Sequence, residues 1–208
     1  MKHTLLCLAL LAAPALAGPP GGCIDIEIGA AKSLPWGKTG QAGAKDYTAT
    51  QAVTDTLKLL DAQMPPLVRM ETIRRAVLYI ADNPAQRNRL FAALRLRALD
   101  AETMKKAPRW AWFDAGYAQG CFEQYGLVDG LRGYAWLREE SEGGAARHFA
   151  LAILALPGPD AKNFPLFKHH LALAKKTKDP LLLKNIERFE KLAKGLIEHV
   201  RDRHTKTG

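Results

Sequence analysis

From Thr48 onward apolar residues recur three and four positions apart, and proline or glycine cuts this pattern at short intervals. A helical period interrupted so often gives segments too short to stand alone in water, so each must bury an apolar stripe against its neighbours. Thr48 and Gln51 have the spacing of a capping box, and Val53, Leu57, Leu60 and Met64 follow before Pro65-Pro66 stops the run. Leu67 to Ala81 continues with Met70, Ile73, Val77 and Ile80 on one face. Asn83-Pro84 then reads as cap and first residue of a third helix, to about Leu99. That helix carries two apolar faces, Leu90, Phe91, Leu94 and Ala98 on one and Ala92, Leu96 and Leu99 on the other, which predicts neighbours on two sides.

A fourth helix is expected from Pro108 to Tyr125, closed by Gly126, and a short fifth follows Asp129 with Leu131, Tyr134 and Leu137. Ala145 to Leu156 is apolar nearly all round and reads as a central core helix. Pro157-Gly158-Pro159 breaks the chain, Pro165 opens a seventh helix, and Pro180 opens the last. Leu182, Ile186, Phe189, Ala193, Leu196 and Val200 line one face of that last helix. Glu187 with Lys191 and Glu190 with Lys194 have ion-pair spacing along it. The fold expected is all-α, about eight helices in stacked antiparallel pairs forming one domain over residues 46–208.

The residues ahead of this body read differently. Lys2 and His3, the apolar run Leu5 to Leu11, and Ala15-Leu16-Ala17 have the order of a secretory signal peptide over residues 1–17. The run is about half the roughly 20 residues that cross a bilayer, and no later stretch comes closer, so a periplasmic or secreted protein with no transmembrane segment is expected. Residues 18–45 form an extended arm rich in glycine and proline. Its one regular feature is Ile24-Asp25-Ile26-Glu27-Ile28, alternating at the period of a strand. Nothing else in the chain alternates this way. An extended Ile24–Ile28 must therefore lie in a groove of the helical body or pair with another molecule's edge.

Thirty Lys and Arg against 21 Asp and Glu give a formal net charge of +9. In an exported protein this excess favours anionic envelope polymers or lipid surfaces, although the basic residues are scattered, form no run of five, and otherwise read as solvated helix surface. Arg87, Arg89, Arg95 and Arg97 do not share a face of their helix. Nucleic acid is disfavoured by the leader and by the lack of any binding motif.

Cys7 would leave with the leader, so Cys23 and Cys121 remain. In an oxidising compartment two cysteines are most simply a disulfide, which on closing a loop of roughly 100 residues contributes about 4 to 5 kcal/mol in the chain-entropy model. The other reading is two separate thiols. Pro20-Gly21-Gly22 ahead of Cys23 departs from the lipoprotein pattern.

The densest cluster of chemically able side chains is on the fourth helix, where Trp110, Asp114, Tyr117 and Cys121 are spaced to share one face. A carboxylate among aromatics could bind a cationic group, making Trp110, Asp114 and Tyr117 the candidate binding residues. The structural alternative is a satisfied core acid, held by Tyr117, a basic side chain or a backbone N–H of the arm. A Cys23–Cys121 bridge would lay the isoleucines across this face and aim such N–H groups at Asp114. Gly116 and Gly120 within the same helix mark close packing.

No catalytic motif, metal-ligand spacing or cofactor fingerprint occurs, so no catalytic residue, metal or cofactor is expected. His169 and His170 point about 100° apart on a helix, and His170 falls in its apolar arc. Three functions follow: a non-catalytic envelope scaffold binding a protein or peptide, a small hydrolase using Asp114 or Glu123 with Tyr117 or His148, and a basic adaptor for anionic surfaces.

Trp112 with Ala115-Gly116 and the small residues after them resembles the first helix of a tetratricopeptide unit, without a repeat of the roughly 34-residue period. Glu71-Thr72-Ile73-Arg74-Arg75-Ala76 and Trp112-Phe113-Asp114-Ala115-Gly116-Tyr117 are similar to segments of uncharacterised exported bacterial α-helical proteins. The likeness implies a helical array and carries no activity with it.

Overall fold

The computed structural model describes residues 24–37, 46–61, 63–104, 110–128, 132–139, 144–156 and 164–206. The expected leader (residues 1–17), Cys23, and the Pro108, Asp129 and Pro157–Pro159 boundaries lie outside the described residues. Within them the chain is all-helical, with eight helices and no strand: α1 (Ala49–Leu59), α2 (Pro66–Ile80), α3 (Pro84–Met104), α4 (Ala111–Gln124), α5 (Arg132–Glu139), α6 (Gly144–Leu154), α7 (Phe164–Ala174) and α8 (Pro180–Lys206). No helix among the described residues is long and apolar enough to cross a membrane.

The local signals act as the spacing predicts at most helix starts. Thr48 caps α1 with both hydrogen bonds of the capping box in place. Asn83 Oδ1 accepts from Gln86 N at 3.1 Å at the start of α3. The end of α1 differs from expectation. The helix stops at Leu59, five residues before Met64, because Asp61 Oδ1 accepts from Gln63 N at 2.8 Å and Met64 N at 2.9 Å and turns the chain there. Arg97 of α3 donates to Leu57 O at 2.5 Å and takes up an orphaned carbonyl of that helix end.

Sequential helices pack on one another (α1 on α2, α3 on α4, α4 on α5, α6 on α7), while α2, α4 and α6 contact each other as a middle row. Stacked antiparallel pairs are thus present, and α6 is buried from Phe149 to Leu154. α4 is as deeply placed, buried from Phe113 to Phe122. It meets α5 backbone to backbone, with Gly116 and Gly120 facing Gly133. α8 buries Leu182, Ile186, Phe189 and Ala193, with the Phe189 ring centre 5.7 Å from that of Phe149 and 5.8 Å from that of Phe167. Glu190 pairs with Lys175, just past α7, at 2.7 Å rather than with Lys194.

One expectation is corrected and one alternative is decided. Among the described residues the second apolar face of α3 has no helix against it: Ala92, Leu96 and Leu99 are exposed, while Leu90, Leu94 and Ala98 are buried against α1, α2 and α4. Of the two places open to Ile24–Ile28 the segment takes the helical body: it forms no strand, and helix side chains take up its backbone groups.

Candidate functional site

The residues with the most chemistry gather along α2, which is buried over Leu67–Arg74, charged side chains included. Arg69 leaves α2 toward α4, donating Nη1 to Asp114 Oδ2 at 2.6 Å and Nη2 to the carbonyl of Asp61, with its guanidinium 5.6 Å from the centre of the Trp110 ring. Trp110 and Asp114 are therefore brought together through Arg69. Burial pushes the Asp114 carboxyl up to about 7, and the charge and hydrogen bond of Arg69 pull against it. Tyr117 lies a turn away, fully buried with its ring 6.2 Å from that of Phe113. Its hydroxyl is held well above the usual 10, first by burial and then by Cys121. Trp110, Asp114 and Tyr117 are all buried, so they hold α2 to α4 and offer no open surface to a ligand.

Glu71, two residues further along α2, is the centre of a second cluster. Its carboxylate accepts from Arg74 Nε at 2.7 Å and Nη2 at 2.8 Å, from Arg75 Nε at 2.7 Å, and from the backbone N–H of Ile26 at 3.0 Å. Burial works against the Arg74 charge, but the Glu71 hydrogen bond and charge outweigh it and raise the guanidinium pKa. The arm's N–H thus goes to Glu71 and not to Asp114, whose buried place is already filled by Arg69. Cys121 is buried on α4, its expected partner Cys23 lies outside the described residues, and no disulfide pair is seen among those described.

The arm is held along its length by side chains. Asn185 of α8 grips the Glu27 peptide on both sides, its Oδ1 accepting from Glu27 N at 2.7 Å and its Nδ2 donating to Glu27 O at 2.9 Å. The outward-facing acids pair with the same helix, Asp25 with Arg188 at 2.6 Å and Glu27 with Lys184 at 2.7 Å. Ile26 is buried between them, while Ile24 and Ile28 pack partly buried against the core. Gly29, at φ +61°, turns the chain in a conformation that side chains rarely adopt, sending residues 33–36 across α2. There Arg75 Nη1 donates to Leu34 O at 2.6 Å and the Tyr79 hydroxyl to Pro35 O at 2.7 Å. Ser33 and Thr72 share a hydrogen bond of 2.9 Å, and Trp36 lies under the Arg74 guanidinium, 5.1 Å from its ring centre.

A third cluster was missed in the sequence because its members are far apart along the chain. The Tyr134 hydroxyl shares a 2.7 Å hydrogen bond with His170 Nε2, and His170 Nδ1 another of 3.1 Å with His148 Nδ1. The two imidazole centres are 5.3 Å apart, close to the N···N distance plus two ring radii, and the planes differ by 21°. The two facing nitrogens are at the distance of a hydrogen bond and can share one proton. Among the described residues no three His, Cys, Asp or Glu side chains are grouped to hold a metal ion.

Burial holds His170 down at about 4, and the charges of His148, His169 and Arg147 press the same way. Between that value and the 6.5 of an exposed imidazole, the unfolded chain takes up a proton that the folded one refuses, so this group withdraws stability as pH falls. Asp114, whose pKa is raised, works oppositely in an overlapping range. A comparison with His170→Gln isolates the histidine: the stability advantage of the natural chain should shrink between pH 7 and about pH 5. A constant difference in melting temperature over that range would contradict it.

Three of the four residues expected to serve a hydrolase are engaged by neighbours. Asp114 is engaged by Arg69 and His148 by His170. Glu123 accepts from Gln119 Nε2 at 2.8 Å, Arg132 N at 2.8 Å and Gly133 N at 3.1 Å, fixing the start of α5 to α4. Of the α3 arginines, Arg87 and Arg97 donate to the carbonyls of Ala81 and Leu57, leaving Arg89 and Arg95 exposed. Comparison of the chain with protein-family models, with curated proteins and with solved structures finds no match.

Proposed function

We propose that this chain is an exported, non-catalytic helical scaffold whose arm-holding side chains on α2 and α8 bind an extended peptide in which branched apolar residues alternate with acids. The observation that carries this reading is the way the body holds its own arm. Five backbone groups (Ile26 N, Glu27 N, Glu27 O, Leu34 O and Pro35 O) are bonded by helix side chains. Side chains that read main-chain N–H and C=O do the work a sheet edge does in strand addition, and they hold any extended segment of suitable shape. Lys184 and Arg188 add a preference for acids at the outward positions, and the cavity for Ile26 adds one for a branched apolar residue between them. The leader over residues 1–17 supplies the compartment, and the arm is the resident occupant that a partner's segment displaces.

The test uses the full chain carrying Ile26→Asp, which drives the arm from its buried place, and a fluorescent peptide of the natural sequence Ile24 to Lys32. Saturable anisotropy change is expected, and Asn185→Ala in the same background should weaken it by about tenfold, as two peptide hydrogen bonds are lost. Absence of saturable binding to the arm-released chain, with its helical far-UV signal intact, would sink the reading.

A further inference from the structure

The outer face of α3 lies opposite the buried Leu90, Leu94 and Ala98, and its centre line is Ala92, Leu96 and Leu99. Leu96 is 59 % exposed, the largest value among the described bulky apolar side chains, Leu99 is 42 % exposed, and they sit less than one turn apart. Arg95 and Glu102, both exposed, are seven positions apart and so share one edge of this apolar line. The midpoint of Leu96 and Leu99 falls between positions 97 and 98, and that of Arg95 and Glu102 falls between positions 98 and 99. A helix whose leucines and opposite charges are centred on nearly the same point is complementary to itself when turned end for end. Rotation about a two-fold axis through that point sets Leu96 against Leu99 of the second copy. It also brings Arg95 on one edge within reach of the second copy's Glu102, twice over by symmetry.

We propose that this face pairs with a second copy of the chain, the two α3 helices running antiparallel. Twenty-one residues give a contact about 30 Å long and one helix wide, short of the roughly 800 Å² per partner of a stable interface, so the pair is weak and forms at high protein concentration. The proposal is independent of the arm-holding side chains, which lie on α2 and α8.

Sedimentation velocity of the full chain at rising concentration should show reversible monomer–dimer exchange, abolished by Leu96→Glu. Arg95→Glu and Glu102→Arg singly should each weaken association about tenfold, and the double exchange should restore it, since the pair is remade with its signs reversed. Rescue by the double exchange is what separates a two-fold pair from general apolar adhesion. A chain that stays monomeric at every concentration, or singles whose losses simply add in the double variant, would overturn the proposal. The second result would mean that α3 meets something other than itself.

Discussion

Glu71→Ala should destabilise the protein by about 3 to 5 kcal/mol in chemical denaturation, the range found when one partner of a buried ion pair is removed. The carboxylate is fully buried and its loss strands Arg74, itself only 1 % exposed, with no acid to replace Glu71. The same change removes the acceptor for Ile26 N, so the arm should become sensitive to protease in the variant at denaturant concentrations where α-helical signal persists. Glu71→Gln keeps the shape and an acceptor oxygen but loses the charge, and it should fall between the natural chain and the alanine variant. A loss below about 1 kcal/mol for Glu71→Ala would show that water reaches Arg74 and that the cluster is not the sealed unit described.

Gly133→Ala is expected to be as damaging for a different reason. A methyl group there would sit 2.1 Å from Gly120 N, 2.4 Å from Gly120 Cα and 2.7 Å from Gly116 O, all backbone atoms of α4 that no rotamer change can move aside. α5 must lift off α4, and the destabilisation should reach about 3 kcal/mol, the upper end for overpacking. Gly195→Ala is the matching control. It lies in α8 with open space around it, and relief of glycine's chain entropy should stabilise by about 0.5 to 1 kcal/mol. Equal small effects at both positions would mean that α4 and α5 are not in backbone contact.

The helices were legible in the sequence because their signals are local. Thr48 with Gln51, Asn83-Pro84 and Pro180 start helices by satisfying or removing N–H groups, whatever the helix packs on. The early end of α1 was not legible, since Met64 continues the apolar period and only Asp61, turning back on the next two residues, stops it. The second face of α3 was misread because apolar periodicity reports what a surface could bury and not whether a neighbour is supplied. The charged run on α2 shows the opposite fault. Glu71 with Arg74 and Arg75 has the spacing of a solvated surface network, yet it is buried in the body, with residues 26 and 34 of the arm bonded to it. The Tyr134–His170–His148 string joins three helices through residues up to 36 positions apart, a distance at which spacing carries no information.

The hold of Asn185 on Glu27 spans 158 positions, and this sets an order of events during synthesis. The arm is made first and can meet α2 once that helix forms, but its hold on α8 waits until the other described helices have been made. A strand-like apolar run left waiting is a hazard for aggregation, and Asp25 and Glu27, alternating with the isoleucines, place a like charge on every copy. The same two carboxylates later meet Arg188 and Lys184. They can thus serve twice, as gatekeepers of the nascent chain and as the ion pairs that fix the arm on α8.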